Sequence, residues 1–359
     1  MKQRRTGIAK VGVVNTDGHA IGLDLGATCV RAAILAPGAQ DGRPSVTVHG
    51  LGQLELPEGA VVNGVVCNEA AVTDALRALW RLNNFECRNV ILGMANQQIV
   101  VRDMTVPNLS PDQRAKALPF QAREIVALPM DQVLLDFAPL AEPDAETNTV
   151  TGLLVATPRQ PVLAAVAAVE KAGLKVARVD LSTFATLRSI ADERLAVEAV
   201  LDMGAHLTSI VIHNQGIPKV VRTVSRGGRE LTDALADKLG FSPDDAERAK
   251  RDIGLDGPHP EIARILNEVL RPLLAEIRSS IHYFGSTSSG ASLERISLTG
   301  GASSLHGLAE LLTEQMSIPT SVVAPMQHIS NRWTAAQPEA NPEFHASAVS
   351  VGLAMGAAA

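Results

Sequence analysis

The sequence predicts an α/β protein with two similar halves and a small inserted α/β subdomain. Two segments of the same design indicate the duplication, because apolar runs precede both Asp24 and Asp202, and Gly26 and Gly204 follow two residues later. Each segment predicts a β-hairpin whose turn presents backbone N–H groups to an anion. The aspartates lie 178 positions apart (202 minus 24), which is about one domain length.

Length and composition exclude several classes of protein. A chain of 359 residues with 46% hydrophobic content has room for two separate cores. A net charge of −6 argues against a nucleic-acid binder, which usually carries a concentrated basic face. Cys29, Cys67 and Cys87 are odd in number and widely spaced, which indicates a reducing cytoplasm rather than a disulfide framework. No apolar stretch of about 20 residues suggests a membrane span.

The first half begins after a basic segment, residues 1–19, for which we expect a mobile tail. Residues 20–94 form the predicted subdomain 1A. After the hairpin, they contain a strand near residues 46–50, a helix from Asn68 to Asn83 and a strand over 89–94. Three strands, a helix and a strand are the order typical of an RNase-H-like subdomain. Residues 166–198 complete it, with a strand ending at Asp180.

Residues 95–165 form the predicted insertion, subdomain 1C. Its predicted elements are a strand over 98–106, a helix that starts at Ser110 and is broken or kinked by Pro119, and strands over 134–139 and 149–156. A helix over 161–172 follows.

The second half covers residues 199–326, with a part called 2B at about 240–290. Its hairpin is followed by a strand over 218–224, the Gly227-Gly228 turn and a helix capped by Ser242. Residues 261–284 predict one amphipathic helix or two abutting helices, because Pro272 interrupts the pattern, and 285–290 predict a loop. Residues 327–359 predict a loop and a closing helix, over about 343–357, that returns to the first half.

The motifs taken together resemble the actin-like ATPase superfamily. They are the two Asp-x-Gly hairpins, the Gly227-Gly228 turn, the 246–250 segment Ala-Glu-Arg-Ala-Lys and the 299–301 segment Thr-Gly-Gly, in that order. Within the superfamily, the chain resembles the PilM family of type IV pilus assembly proteins, because the position of the insertion matches a subdomain shared by PilM and the cell-division protein FtsA. The last residues, 352–359, lack the basic amphipathic pattern of an FtsA-like membrane helix.

The resemblance implies that ATP and Mg²⁺ bind between the halves. The implied phosphate-binding residues are Asp24, Gly26, Ala27, Thr28 and Arg31 in the first turn, and Asp202, Gly204, Ala205, His206 and Thr208 in the second. Asp24 and Asp202 would hold Mg²⁺ through water. Ribose and adenine would be enclosed by Gly227, Gly228, Glu247, Lys250, Gly300, Gly301 and Ser303. Family members often have Ser at the position of Ala27 and Lys at that of Arg31, so one hydroxyl contact is missing here.

The candidate catalytic residue is Asp180. It lies near the position where related ATPases place the acid that orients the attacking water. An aspartate reaches less far than a glutamate, and weak or absent ATP hydrolysis is the expectation. Alternatively, Asp180 caps the helix that starts near Ser182.

The family resemblance implies a cytoplasmic adaptor that is recruited to the inner membrane by its partner. That partner would be the N-terminal segment of a PilN-like membrane protein, held in a groove involving the insertion, and other pilus assembly proteins would join. Two alternatives stay open. One is a small-molecule kinase of the same superfamily, with Asp180 as base, and the other is an FtsA-like cell-division filament protein.

Overall fold

The computed structural model describes residues 21–40, 43–192, 194–287, 292–327 and 342–358. The predicted N-terminal tail and most of the predicted loop after residue 327 lie outside these ranges. In chain order, the strands of the described residues are β1 (Ile21–Leu25), β2 (Cys29–Gln40), β3 (Arg43–Glu55), β4 (Val61–Val62), β5 (Val65–Val66), β6 (Asn89–Met94), β7 (Val100–Pro107), β8 (Val133–Pro139), β9 (Thr149–Pro158), β10 (Lys175–Leu181), β11 (Val197–Met203), β12 (Thr208–Asn214), β13 (Ile217–Val224), β14 (Arg295–Thr299) and β15 (Thr320–Val322).

The helices surround these strands. They are α1 (Glu69–Leu82), α2 (Pro111–Gln121), α3 (Arg159–Lys171), α4 (Ser182–Ile190), α5 (Gly228–Leu239), α6 (Pro243–Ile253), α7 (Pro260–Thr287), α8 (Leu308–Met316), α9 (Pro342–His345) and α10 (Ala348–Ala358).

Two five-stranded sheets have the same internal order. The first runs β10-β6-β1-β2-β3 and the second runs β13-β12-β11-β14-β15. Counted in chain order, the first strand of each sheet pairs antiparallel with the second strand and parallel with the fourth. In the first sheet β1 pairs with β2 and β6, and in the second sheet β11 pairs with β12 and β14. This repetition confirms the predicted duplicated RNase-H-like fold of the actin-like ATPases.

A third sheet, with the order β7-β9-β8, forms the inserted α/β subdomain together with α2. Its strands are antiparallel throughout. One face packs on α2 through an apolar cluster that includes Leu118, Phe137 and Leu154. The other face packs toward both halves, because Val101 and Leu153 share a cluster with Phe184 of α4 and Val221 of β13.

Local sequence explains where the helices begin and which face they bury. The Asn68 side chain accepts a hydrogen bond from the Ala71 N–H at 3.1 Å, which caps α1. Helix α1 then buries Leu76, Leu79 and Trp80 under the first sheet. Each such side chain contributes about 1.5–3 kcal/mol of hydrophobic free energy when fully buried.

The closing helix α10 packs directly on β1 and beside α4. A Cβ atom placed on Gly22 of β1 would lie 1.9 Å from the Ser350 carbonyl oxygen, and one on Gly352 would lie 1.8 Å from the Ala185 carbonyl oxygen. Only glycine allows the backbones to approach this closely.

Several predicted boundaries were wrong. Of the two alternatives for residues 261–284, the single helix is observed, and α7 continues through Pro272. It extends to Thr287, so residues 285–287 are helical rather than loop. Helix α2 continues past Pro119 to Gln121, before a 3₁₀ turn over Ala122–Glu124. The predicted closing helix is divided into α9 and α10, since the His345 carbonyl accepts hydrogen bonds from the second half, from the Gly300 N–H and the Thr299 hydroxyl.

Candidate functional site

The two hairpin turns face each other across a cleft between the halves. Asp24 lies next to the end of β1, opposite Arg31 in the register with β2, and Asp202 holds the matching place on β11, opposite Ser209. Each turn is tight, because a Cβ atom on Gly26 would lie 2.9 Å from the Cys29 carbonyl oxygen and one on Gly204 would lie 3.0 Å from the Leu207 carbonyl oxygen.

The cleft has a volume of about 710 Å³, within the range that ligand pockets usually have. Of the residues predicted from the sequence to bind a nucleotide, most line it: Asp24, Gly26, Ala27, Thr28, Arg31, Asp202, Gly204, Ala205, His206, Gly228, Glu247, Lys250, Gly300 and Gly301.

Burial perturbs both aspartates. Loss of solvation raises the pKa of Asp24 to about 6; the Arg31 charge opposes this rise and the Asp202 charge adds to it. Loss of solvation also raises the pKa of Asp202, although the Thr186 hydroxyl, which donates to Oδ2 at 3.0 Å, and Arg31 oppose it. Two poorly solvated carboxylates near one arginine are an arrangement that a cation would stabilise.

Within the described part of the chain, two buried nitrogen atoms in the cleft have no hydrogen-bond partner, Nε of Arg31 and Nδ1 of His206. A buried polar atom left unpaired costs about 1–3 kcal/mol, so such atoms indicate that a ligand supplies the partner. Arg31 requires an acceptor, and an anion between the two turns would provide it. The residues present therefore fit a phosphate group, and Asp24 and Asp202 fit a Mg²⁺ ion held mainly through its waters.

The second half forms the opposite wall through α5 and α6. The Lys250 ammonium donates to the Gly228 carbonyl at 3.1 Å, to the Thr232 hydroxyl at 2.9 Å and to Glu247 Oε2 at 2.7 Å. Burial alone would raise the pKa of Glu247, but the hydrogen bonds from Lys250 and Thr232 outweigh it and keep the pKa low. Glu247 is thus ionised at neutral pH, with its side chain about half exposed in the cleft.

Three predicted residues support the turns and are absent from the described lining of the cleft. The Thr208 hydroxyl donates to the Arg226 carbonyl at 2.8 Å, and the Ser303 hydroxyl donates to the Gly300 carbonyl at 2.7 Å. Gly227 lies against the second turn, because its Cβ would be 2.5 Å from the Gly204 and Ala205 carbonyl oxygens.

Asp180 is also absent from the described lining of the cleft. Its Oδ2 accepts a hydrogen bond from Arg188 at 2.5 Å and lies 3.5 Å from Arg178. These arginines donate in turn to the Gly352 and Gly356 carbonyls of α10. Nor does Asp180 cap α4, since its Oδ1 accepts from the adjacent Leu181 N–H. The structure therefore gives Asp180 a role in holding α4, β10 and α10 together.

Sequence reasoning missed several residues that line the cleft. Gln53 lies opposite Arg31 in the β2–β3 register. Glu58 and Arg229 form an ion pair of 2.5 Å from opposite sides of the cleft. Arg229 directly follows the Gly227-Gly228 turn and could have been suspected, but no local pattern identifies Glu58 as its partner.

The repeated sheets, the two facing aspartate turns and the cleft between them define the class of this protein, which has the actin-like ATPase fold. Solved structures agree. The ethanolamine utilization protein EutJ from Carboxydothermus hydrogenoformans aligns with a TM-score of 0.57 at 16% identity, over 97% of this chain and 92% of that chain. MreB 5 of Spiroplasma citri, bound to AMPPNP, aligns with a TM-score of 0.51 at 12% identity, over 94% and 95%. At these identities the likeness concerns the fold alone.

A structure of the PilM–PilN type IV pilus biogenesis complex is much more similar. It aligns with a TM-score of 0.81 at 27% identity, and the alignment covers 95% of this chain and 98% of that chain. The family model of type IV pilus assembly protein PilM matches residues 22–358. The chain therefore belongs to the PilM family of type IV pilus assembly proteins.

A more distant curated relative is the cell division protein FtsA of Bacillus subtilis (strain 168). It is 21% identical over an alignment of 235 residues, and the match covers 58% of this chain and about half (53%) of that relative.

The described ranges contain no helix long and apolar enough to cross a lipid bilayer. Within the same ranges, no three His, Cys, Asp or Glu side chains are grouped as a direct metal site.

Proposed function

We propose that this protein is an ATP-binding adaptor of type IV pilus assembly that binds the N-terminal segment of a PilN-like inner-membrane protein. The observation that carries the proposal is the cleft, in which two aspartate turns, each with a buried nitrogen atom that lacks a hydrogen-bond partner among the described residues, face each other in a chain of the PilM family. Binding to the membrane partner would recruit the protein to the cytoplasmic face of the inner membrane, beside other pilus assembly proteins.

In this proposal the residues of the cleft have distinct roles. The N–H groups of both turns, the Thr28 hydroxyl and the Arg31 guanidinium bind the β- and γ-phosphates. Asp24 and Asp202 hold Mg²⁺ through its waters, and the ion offsets phosphate charge when it is bound.

The second-half wall would hold the nucleoside. Lys250 already donates to three acceptors, so its main task is to orient Glu247. Glu247 can then accept a hydrogen bond from a ribose hydroxyl through Oε1. Gly300 and Gly301 line the cleft close to Asp202, since a Cβ atom on Gly300 would lie 2.4 Å from Asp202 Oδ1.

We expect ATP turnover to be weak or absent. The carboxylates in the described lining of the cleft are Asp24, Glu55, Glu58, Asp202, Asp244 and Glu247. Asp24 and Asp202 would bind the metal, Glu58 is paired with Arg229, and Glu247 is paired with Lys250, which leaves Glu55 and Asp244 as the two carboxylates of this lining without an assigned role. Asp180, paired with Arg188 away from the cleft, is not available as a base for water or for a kinase substrate.

The partner peptide would lie in a groove involving the insertion, which we place at residues 95–165. The likeness to the PilM–PilN complex over nearly the whole of both chains supports this proposal. We retain the remaining boundaries, 20–94 and 166–198 for subdomain 1A and 199–326 for the second half, as proposals.

Calorimetry of the purified protein with Mg²⁺-ATP tests nucleotide binding. Asp24→Ala and Asp202→Ala should each weaken ATP binding more than about tenfold, equal to about 1.4 kcal/mol. Asp74→Ala is the matched control, because Asp74 is an exposed aspartate on α1 and its loss should leave binding unchanged. Absence of ATP binding by the wild-type protein, or equal effects of all three substitutions, would refute this role.

Fluorescence anisotropy tests the partner, with a labelled peptide covering the cytoplasmic segment of the PilN-like protein from the same genome. Saturable binding to the full chain, and none of a scrambled peptide, is expected. Equal binding of the two peptides would contradict the adaptor role.

The relation to FtsA favours one second candidate, an FtsA-like filament protein. Electron microscopy of the protein with ATP and lipid distinguishes the two, because ordered polymers would support the filament function.

A further inference from the structure

The root of the insertion, residues 94–98, lies between the nucleotide cleft and the inserted sheet. Met94 and Ala95 line the cleft, and they also line a second small void together with Ile99 and Val101 of the insertion. The backbone that leaves β6 and enters β7 therefore has the cleft on one side and the insertion on the other.

The root is held on the first-half side by the turn between β4 and β5. Gly64 of this turn lines the cleft and has a φ of +76°, and a Cβ atom on it would lie 1.6 Å from the Ala95 carbonyl oxygen. The buried Asn96 donates from Nδ2 to the Asn63 carbonyl at 3.2 Å, and its Oδ1 accepts from the Gln98 N–H at 2.8 Å. A shift of this turn would thus displace the root directly.

The root is held on the second-half side by Ser225. The Ser225 hydroxyl donates to Gln97 Oε1 at 2.5 Å. Three residues later, the Gly228 N–H donates to the Gly204 carbonyl of the second phosphate turn at 2.9 Å. Arg229 also crosses the cleft to Glu58 at the rim of the first half. One short segment, residues 225–229, therefore touches the root, the second turn and the opposite rim.

We propose that residues 94–98, clamped by the Asn63-Gly64 turn and by Ser225, couple ATP binding in the cleft to partner binding at the insertion. This inference rests on the proposed function. ATP would contact both halves and so favour the arrangement in which Ser225 reaches Gln97 and Arg229 reaches Glu58. The insertion packs on Phe184 of the first half and Val221 of the second, so the same arrangement orders the surface offered to the partner.

The coupling has a required sign and symmetry. A ligand shifts an equilibrium only by its difference in affinity for the two states, and linkage makes the effect reciprocal. Saturating Mg²⁺-ATP should therefore tighten binding of the PilN-like peptide, by roughly 5- to 50-fold on the usual scale of such couplings, and the peptide should tighten ATP binding by the same factor.

The experiment measures peptide affinity by anisotropy in the presence and absence of Mg²⁺-ATP, and ATP affinity by calorimetry with and without peptide. Gln97→Ala and Ser225→Ala should each bring the ratio of affinities to within about twofold of one, while either ligand alone binds as to the wild-type protein. Ser286→Ala is the matched control, because this exposed serine donates only within α7 in the structure described.

Glycine variants give a second, independent readout. Gly64 and Gly59 both have a φ of +76°, but a Cβ atom on Gly59 has nothing within 4 Å. Both alanine variants therefore place a side chain at the same unfavourable φ, and only Gly64→Ala pushes on Ala95. We expect Gly64→Ala to reduce the coupling and Gly59→Ala to preserve it.

The outcomes separate the two proposals. If the wild-type protein binds both ligands but each affinity is independent of the other ligand, the coupling is overturned while the adaptor function stands. Coupling that is retained in Gln97→Ala, Ser225→Ala and Gly64→Ala would overturn the proposal that residues 94–98 transmit it. Failure of either ligand to bind the wild-type protein would overturn the adaptor function and the coupling with it.

Discussion

Replacing Asp24 by asparagine should stabilise the ligand-free protein at neutral pH and reduce its stabilisation by Mg²⁺-ATP. Burial raises the pKa of Asp24 from 3.8 to about 6, so the folded state holds this proton more tightly than the unfolded state does. Between about pH 4 and pH 6 the unfolded state loses the proton first, and folding stability falls as pH rises. Above pH 6 the cost of the buried carboxylate is fully present, and below pH 4 it vanishes.

The magnitude follows from the same values. A rise in pKa from 3.8 to about 6 corresponds to about 3 kcal/mol, because one pH unit is equivalent to about 1.4 kcal/mol. Asp24 keeps some solvent contact in the open cleft, and asparagine also loses the attraction to Arg31, which lowers the pKa of Asp24. We therefore expect Asp24→Asn to gain about 1–3 kcal/mol at pH 7.5 and nothing at pH 4.

Urea unfolding at pH 7.5 and at several values down to pH 4 measures this gain, with Asp74→Asn as the exposed control. Mg²⁺-ATP at 100 times its dissociation constant should stabilise the wild-type protein by about 2.7 kcal/mol. The same ligand should stabilise Asp24→Asn much less. A variant that is less stable than the wild-type protein at pH 7.5, or whose gain is the same at pH 4, would refute the reasoning.

Three further substitutions test the surrounding structure. Asp180→Asn should lower the free energy of unfolding by about 1–3 kcal/mol, because the pairing with Arg188 is lost. The ATP affinity measured by calorimetry should stay unchanged. Weaker ATP binding would indicate that Asp180 belongs to the nucleotide site. Burial alone would raise the pKa of Glu198, but hydrogen bonds, among them one from His213, keep it low. Glu198→Gln should therefore lower the free energy of unfolding in urea by about 3 kcal/mol at pH 7, and this loss should shrink as the pH falls below 4.5. A loss that is independent of pH would contradict this. Gly22→Ala should lower the free energy of thermal unfolding by more than about 3 kcal/mol, because the new methyl group meets the Ser350 carbonyl. Gly285→Ala, in helix α7 with open space around it, should instead raise it by up to about 1 kcal/mol. Similar effects of the two substitutions would count against the packing of α10.

Much of the fold could be predicted because its signals are local. The side chains of Asn68 and Ser242 cap the helices that they were expected to start, at 3.1 Å and 3.2 Å from the acceptor to the backbone nitrogen. Apolar alternation located the strands on each side of both turns, because strand periodicity is a property of a few consecutive residues. The short strand β15 was missed, since three residues carry too little pattern.

Distant contacts decided between the alternatives that the local pattern left open for residues 261–284. These residues form one helix through Pro272 because flanking apolar side chains, Leu270 and Leu273 among them, pack into the core of the second half. The predicted end of this helix was wrong, because the helix reaches Thr287. The Thr287 hydroxyl donates to the Tyr283 carbonyl at 3.0 Å, which helps to satisfy the last helical carbonyls.

The sequence by itself determined the duplicated architecture, the family resemblance and fourteen of the residues that line the cleft, because the aspartate turns and glycine pairs are short motifs with their own conformational requirements. Only the tertiary structure decided which charged side chains pair with each other. It placed Asp180 between Arg178 and Arg188, joined Glu58 to Arg229 across the cleft and left Nε of Arg31 unpaired. The Glu58–Arg229 pair joins residues far apart in the chain. The energy of every charge also depends on its burial and its neighbours, which a local pattern does not contain.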